Sequence, residues 1–121
     1  MSKILITDDD RALVRLLAER LRAAGYEILE AYDGNHCLET ARREKPDAIL
    51  LDIYMPIMDG FEALKAIKAD PVLKQIPILI FSGKVSSEHI KKAETLGADD
   101  IIFKSTEILD LITRLKKALK T

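Results

Sequence analysis

The segment AILLD at residues 48–52 decides the fold, because four apolar residues run directly into one acidic residue. A short, uninterrupted apolar run is typical of a strand that is buried on both faces of a parallel sheet. Similar runs occupy residues 3–7, 27–31, 77–82 and 100–103. Segments with helical spacing of apolar residues lie between these runs, so the sequence predicts an α/β fold with five βα repeats and a parallel sheet.

Local signals predict where several helices begin and end. Gly25 suits the left-handed position that follows a helix, so the first helix is predicted to stop near Ala24. Asp59 and Glu62 have the spacing of a capping box, which predicts that another helix begins near Gly60.

Length and composition limit the classes of protein. The chain has 121 residues, of which 48% are hydrophobic, and this predicts one domain over residues 1–121. The formal net charge of −1 provides no global field for nucleic acid or a membrane surface. The single cysteine, Cys37, cannot form an internal disulfide, and no apolar run is long enough to span a membrane. We therefore expect a cytoplasmic protein.

Polar side chains follow the predicted strands at the edge where an open α/β sheet binds ligands. Asp8 and Asp9 follow the first strand, Asp52 ends the third, Ser82 ends the fourth and Lys104 follows the fifth. If the strand order is 2-1-3-4-5, an order taken from other open α/β sheets, the first and third strands are neighbours. The three carboxylates are then expected to converge, with no paired cation among them.

Converging carboxylates repel one another and create a demand for a cation. A small hard cation such as Mg²⁺ fits an all-oxygen set, whereas His36, His89 and Cys37 are scattered and supply no zinc or copper cluster. A metal, Lys104 and the Ser82 hydroxyl could neutralise a phosphoryl group on a carboxylate, with Asp52 as the nucleophile. A single aspartate at a strand end is often merely a helix N-cap, a role that we expect for Asp10.

With these residues in place, the sequence resembles a response-regulator receiver domain over essentially its whole length. Residues 4–9, ILITDD, resemble the first strand and acidic pair of that family. Residues 48–52, followed by Met55-Pro56 and by MDG at residues 58–60, resemble its phosphoacceptor strand and loop. The resemblance implies a doubly wound, flavodoxin-like three-layer sandwich with strand order 2-1-3-4-5.

The resemblance also implies a role for each residue of the predicted site. Asp52 accepts a phosphoryl group and, with Asp9, ligates Mg²⁺ directly, and Mn²⁺ can substitute for this ion. Asp8 assists through water, and the Tyr54 backbone carbonyl completes the protein ligands. Ser82 and Lys104 stand where the family has its switch hydroxyl and its phosphate-binding lysine.

Partners are likewise implied by the resemblance. The expected donor is a phosphohistidine on a histidine kinase or phosphotransfer protein, and an unknown downstream protein reads the face formed by the fourth helix, fifth strand and fifth helix. The same face would support a weak dimer of an otherwise monomeric chain. The protein would catalyse only its own phosphorylation and dephosphorylation, and would bind no nucleic acid directly. No output domain follows Leu119, so we expect a stand-alone relay protein or an excised fragment.

Two positions depart from the family pattern. Ser105 follows Lys104 where the family usually has a proline after a cis peptide bond, and a non-proline cis bond costs about 2.5–4 kcal/mol. We therefore predict a trans Lys104–Ser105 bond. Ile101 replaces an aromatic switch residue, and its stiff side chain predicts that activation moves loops and the fourth helix more than a side-chain rotamer.

Rival classes require residues that this chain lacks. A haloacid-dehalogenase-like phosphatase needs a second acid two residues after its nucleophile, where this chain has Tyr54. A flavodoxin-like cofactor binder needs a phosphate cradle after the first strand, where three aspartates would repel phosphate. The alternative left open is a degenerate receiver that acts as a constitutive protein-docking module. Loss of Asp52, the acidic pair or Lys104 would mark such a protein, and all are present.

Overall fold

The computed structural model describes residues 1–120 as an alternation of five strands and five helices. In chain order the elements are β1 Lys3–Thr7, α1 Arg11–Ala23, β2 Glu27–Ala31, α2 Gly34–Glu44, β3 Ala48–Leu51, α3 Gly60–Ala69, β4 Ile78–Ser82, α4 Ser87–Thr95, β5 Asp100–Phe103 and α5 Ile108–Leu119. This is the predicted set of βα repeats.

The strands form one parallel sheet in the order β2-β1-β3-β4-β5. The order confirms the expectation that β1 and β3 are neighbours, with Thr7 paired to Leu51 at their ends. Two predicted strand limits were one residue too long, since β3 ends at Leu51 and β4 begins at Ile78. The Asp52 N–H still donates to the Thr7 carbonyl (3.0 Å), so Asp52 lies at the point where the ladder stops.

Two apolar cores cover the two faces of the sheet. On one face, Leu5 and Ile49 pack against residues of α2 and α3, including Leu38 and Leu64. On the other face, alternate strand residues such as Ile4 pack against α1 and α5. Because both faces are covered, every residue of β3 is buried, which explains its continuous apolar sequence.

The predicted helix limits are confirmed. α1 ends at Ala23, with Ala24 as its C-cap and Gly25 following at φ +98°. The Asp10 side chain accepts from the Leu13 N–H (3.1 Å) and caps the start of α1. Asp59 and Glu62 form a reciprocal capping box before α3. These caps begin α1 and α3 beside the C-terminal edge of the sheet.

Backbone geometry agrees with the prediction for Ser105, because no cis peptide bond occurs within the described part of the chain. Ile101 is half-buried and packs against the core on the α2 and α3 side. No helix within residues 1–120 has the length and apolar character needed to cross a membrane.

Candidate functional site

Three carboxylates meet at the C-terminal edge of the sheet. One oxygen from each of Asp8, Asp9 and Asp52 lies within 4.8 Å of the others. Asp8 is only 2% exposed and Asp52 only 5%, whereas Asp9 is open to solvent. The three carboxylates therefore converge in one small cleft, as the sequence predicted, and two of them are buried while one is accessible.

Backbone hydrogen bonds fix the two buried acids. The Asp8 N–H donates to the Ala31 carbonyl (3.1 Å), and the Asp52 N–H donates to the Thr7 carbonyl (3.0 Å). The Asp10 N–H donates to Asp8 Oδ1 (3.0 Å), which orients that carboxylate. Asp8 and Asp52 thus extend the parallel ladder by one residue, and the order of the strands sets their distance.

Gly60 packs directly against the backbone of the central acid. A Cβ built at Gly60 would overlap the Asp52 carbonyl oxygen and come within 2.8 Å of the Ile53 Cα. The Gly60 N–H donates to the Ile53 carbonyl (2.8 Å). A residue without a side chain is therefore required here by close approach. The sequence marked Gly60 as a helix start and as the last residue of the MDG segment, but nothing local reveals this contact.

Lys104 corrects the expectation that the three acids lack a paired cation. Its Nζ lies 2.7 Å from Asp8 Oδ2 and 3.5 Å from Asp52 Oδ2. The Lys104 N–H donates to the Ser82 carbonyl (2.9 Å), which holds the residue at the edge. Lys104 follows β5, so its four-carbon side chain reaches past the ends of β4 and β3 to Asp8 at the end of β1. Sequence spacing alone does not reveal that reach.

Burial and charge shift the pKa values in this cluster. Burial, reinforced by the charge of Asp8, raises the pKa of Asp52 from 3.8 to about 6, although Lys104 acts in the opposite direction. Burial disfavours the charged form of Lys104, but Asp8 and Asp52 outweigh that effect and raise the pKa of the ammonium. The cleft therefore favours cations and resists the negative charge of Asp52.

The donor atoms of the cleft fit a divalent cation. Asp8 Oδ2 is buried, and the Lys104 ammonium that lies 2.7 Å from it is shared with Asp52. The cluster consists of carboxylate oxygens, the ligands that hard cations such as Mg²⁺ prefer over softer metals. A cation at this position would reduce the repulsion among the three carboxylates.

Ser82 and Tyr54 complete the set of sequence-predicted site residues. Ser82 is buried at the end of β4, and its hydroxyl has one long hydrogen bond, 3.5 Å to the Lys84 carbonyl. Tyr54 follows Asp52 by two residues in the loop after β3, and its side chain turns towards His89 of α4. Its carbonyl stays a predicted metal ligand. The contact with His89 was not predicted, because residues 35 positions apart in the sequence carry no shared signal.

Comparisons with known proteins agree with this geometry. Residues 4–116 match the family model of the response regulator receiver domain. The transcriptional regulatory protein PrrA of Mycobacterium tuberculosis is 33% identical over 118 residues, which are 98% of this chain and 50% of that protein. The response regulator PleD of Caulobacter vibrioides is 38% identical over 116 residues, which are 95% of this chain and 25% of that protein. This chain therefore spans half or less of the length of these relatives.

Solved structures match along nearly the whole chain. The chemotaxis protein CheY4 of Vibrio cholerae aligns with a TM-score of 0.92 and 31% identity, over 98% of both chains. A CheY-like response regulator receiver domain protein of Methanospirillum hungatei aligns with a TM-score of 0.93 and 28% identity, over 99% of this chain and 94% of that one. Sequence and structure thus point to the same family.

Proposed function

The chain belongs to the response regulator receiver domain family, and from this premise we propose that it is a phosphoacceptor of a two-component or phosphorelay system. Residues 1–121 form one receiver domain in this proposal. Asp52 takes a phosphoryl group from a phosphohistidine on a histidine kinase or phosphotransfer protein. The observation that carries the proposal is the convergence of Asp8, Asp9 and Asp52 beside Lys104.

The proposed reaction needs a carboxylate nucleophile. An Asp52 oxygen attacks the phosphorus of the phosphohistidine, a P–O bond forms as the P–N bond breaks, and the electron pair of that bond stays on the departing imidazole nitrogen. Hydrolysis by water later returns Asp52 and releases inorganic phosphate. The pKa of Asp52 is raised to about 6, so the carboxylate form still dominates at neutral pH.

Lys104 and Ser82 are proposed to bind the phosphoryl oxygens. The ammonium already lies 3.5 Å from Asp52 Oδ2, so a small side-chain movement would bring it to a new anionic oxygen. The Ser82 hydroxyl has only its 3.5 Å contact with Lys84 to give up before it donates to the phosphoryl group. Both groups are thus available to bind the phosphoryl oxygens once Asp52 is phosphorylated.

Asp8, Asp9, Asp52 and the Tyr54 carbonyl would hold Mg²⁺, or Mn²⁺ in its place. When bound, this ion supplies positive charge beside the transferring phosphoryl group. The burial of Asp8 and Asp52 supports the assignment, because two buried carboxylates share one ammonium and a further cation would reduce their repulsion. Apart from holding the ion, these residues orient the Asp52 nucleophile and keep the cleft polar.

The output of this proposed switch is the face made by α4, β5 and α5. Phe103 is 48% exposed at the end of β5, so this face offers an apolar contact to a downstream protein or to a second copy in a weak dimer. The balanced charge of the chain supports a protein partner over direct contact with nucleic acid. We propose no catalysis beyond turnover of the chain's own phosphoryl group.

Intact mass after incubation with acetyl phosphate and Mg²⁺ tests the proposal. We expect one phosphoryl adduct that disappears in EDTA and in Asp52→Asn, but persists in Asp99→Asn, which changes an aspartate at the opposite edge of the sheet. Absence of an adduct in the wild type, under conditions that modify another receiver, would contradict phosphoacceptance. That result would favour a constitutive docking module.

A further inference from the structure

One side-chain contact joins the loop after Asp52 to helix α4. Tyr54 Oη lies 3.1 Å from His89 Nε2, and the two rings meet edge to face with centroids 5.7 Å apart. Tyr54 is otherwise 52% exposed. A half-exposed ring with a specific polar partner differs from a side chain that merely projects into solvent, because the partner restricts its position.

The direction of this hydrogen bond follows from the other nitrogen of His89. The Ser86 N–H donates to His89 Nδ1 (3.3 Å), so in the neutral ring the proton is on Nε2, which donates to the Tyr54 hydroxyl. The His89 N–H donates in turn to the Ser86 hydroxyl (3.2 Å). The ring that holds Tyr54 therefore also caps α4, and it cannot turn away from Tyr54 without losing a capping bond.

His89 is held from a second side by α3. The Phe61 ring lies 5.8 Å from the His89 ring, and the Lys92 ammonium lies 4.7 Å from the centre of Phe61. His89, in the first turn of α4, therefore joins this helix to the loop after β3 and to the start of α3. Movement of any one of these segments disturbs its contacts with the other two.

We infer that His89 is a positioning residue that couples the Asp52 site to α4 through Tyr54. The inference rests on the proposed function, in which the Tyr54 carbonyl binds the metal ion. Binding of an ion by the Tyr54 carbonyl would restrict the Tyr54 backbone and so the position of its phenol. The phenol, through its hydrogen bond with His89, would then stabilise the capped first turn of α4. By linkage, the position of α4 changes metal affinity by the same factor. Loss of one neutral hydrogen bond predicts a change of about two- to tenfold.

Two variants break the same bond from opposite ends. Tyr54→Phe keeps the ring and removes the hydroxyl. His89→Ala removes the donor to Tyr54 together with the α4 cap, and the loss of the cap cancels when the effect of Tyr54→Phe is compared with and without His89→Ala. If both act through one bond, the double variant equals the larger single effect and is not their sum.

Amide hydrogen exchange provides the readout at the Ile90 N–H, which donates to the Ser86 carbonyl (3.1 Å) in the first turn of α4. The Leu111 N–H, which bonds to Glu107 (3.0 Å) in the first turn of α5, is the internal control. In EDTA we expect Tyr54→Phe to speed exchange at Ile90 about two- to tenfold and to leave Leu111 unchanged. Saturating Mg²⁺ should slow exchange at Ile90 in the wild type and have no such effect in either single variant.

The outcomes separate this inference from the proposed function. Unchanged Ile90 exchange in Tyr54→Phe, or additive effects in the double variant, would overturn the coupling through His89. A wild-type protein whose Asp9 and Asp52 amide resonances do not respond to Mg²⁺ would instead contradict the metal site. The measurements in EDTA would still decide whether Tyr54 steadies α4.

Discussion

The two edges of the sheet use the same residue types with opposite electrostatic results. At the N-terminal edge, Asp47 Oδ2 accepts the Lys3 N–H (2.7 Å), and Asp99 Oδ2 accepts the Ile78 N–H (2.8 Å) with Lys68 3.6 Å away. At the C-terminal edge, Asp8 and Asp52 are buried and share the ammonium of Lys104. Carboxylates stabilise the first edge and strain the second.

The difference shows where the fold leaves an electrostatic demand unmet. Asp47 and Asp99 at the N-terminal edge are exposed to solvent and each accepts a backbone N–H, so no ligand is needed there. At the C-terminal edge two buried carboxylates share one ammonium, and the pKa of Asp52 is raised. Electrostatic strain of this kind clusters at functional sites.

The largest expected effect comes from removing Lys104 of the C-terminal edge, and Lys68 of the N-terminal edge provides the comparison. Lys104→Met should lower the free energy of unfolding by about 3 kcal/mol at pH 7 in EDTA, because buried carboxylates lose their cation. Lys68→Met should cost about 1 kcal/mol, because it loses bonds to the carbonyls of Lys74 and Ile76 and its pairing with Asp99. Urea unfolding checks both values. Relative to the wild type in the same buffer, the stability loss of Lys104→Met should become smaller when Mg²⁺ is added, whereas that of Lys68→Met should not change. Equal losses that do not respond to Mg²⁺ would contradict the difference between the two edges.

The pH dependence of stability should expose the strain on Asp52. Its pKa is about 6 when folded against an ordinary 3.8, so folding favours the protonated acid. The stabilisation is complete below pH 3.8 and is lost as pH rises through about 6. Relative to Asp52→Asn, the wild type should lose on the order of 2 to 3 kcal/mol across this range in EDTA. A constant difference between the two proteins would show that Asp52 is not strained.

A small effect that does not depend on Mg²⁺ is expected at Asp99. Asp99→Ala removes the acceptor of the Ile78 N–H and should cost about 1 kcal/mol. The loss should be the same with and without Mg²⁺, since Asp99 lies at the edge opposite the cleft. Urea unfolding in both buffers measures it, and a more stable Asp99→Ala protein would mean that this edge is strained as well.

The fold could be predicted because its signals are local. The apolar run that ends in Asp52 and the caps at Asp10 and Asp59 each report on a few neighbouring residues, and the structure confirms them. The strand order came from other sheets of this class, since local sequence does not say which strands are neighbours. Once the order is known, the meeting of Asp8 with Asp52 follows from the ladder.

The rest of the site depends on distant contacts that no local pattern encodes. The approach of Gly60 to the Asp52 carbonyl depends on the path of the loop between them. The pairing of Lys104 with Asp8 depends on a flexible side chain that crosses the cleft. The contact between Tyr54 and His89 depends on how α4 packs beside the loop after β3.

The most direct test of the account measures the unfolding free energy of wild type and Asp52→Asn at pH 7, in EDTA and in Mg²⁺. The account predicts that Asp52→Asn is the more stable protein in EDTA, because it lacks the strained charge. Mg²⁺ at 100 times its dissociation constant should stabilise the wild type by about 2.7 kcal/mol, and close or reverse the difference. A wild type that is more stable in EDTA, or that gains nothing from Mg²⁺, would contradict the claim that this edge is built to bind a cation beside Asp52.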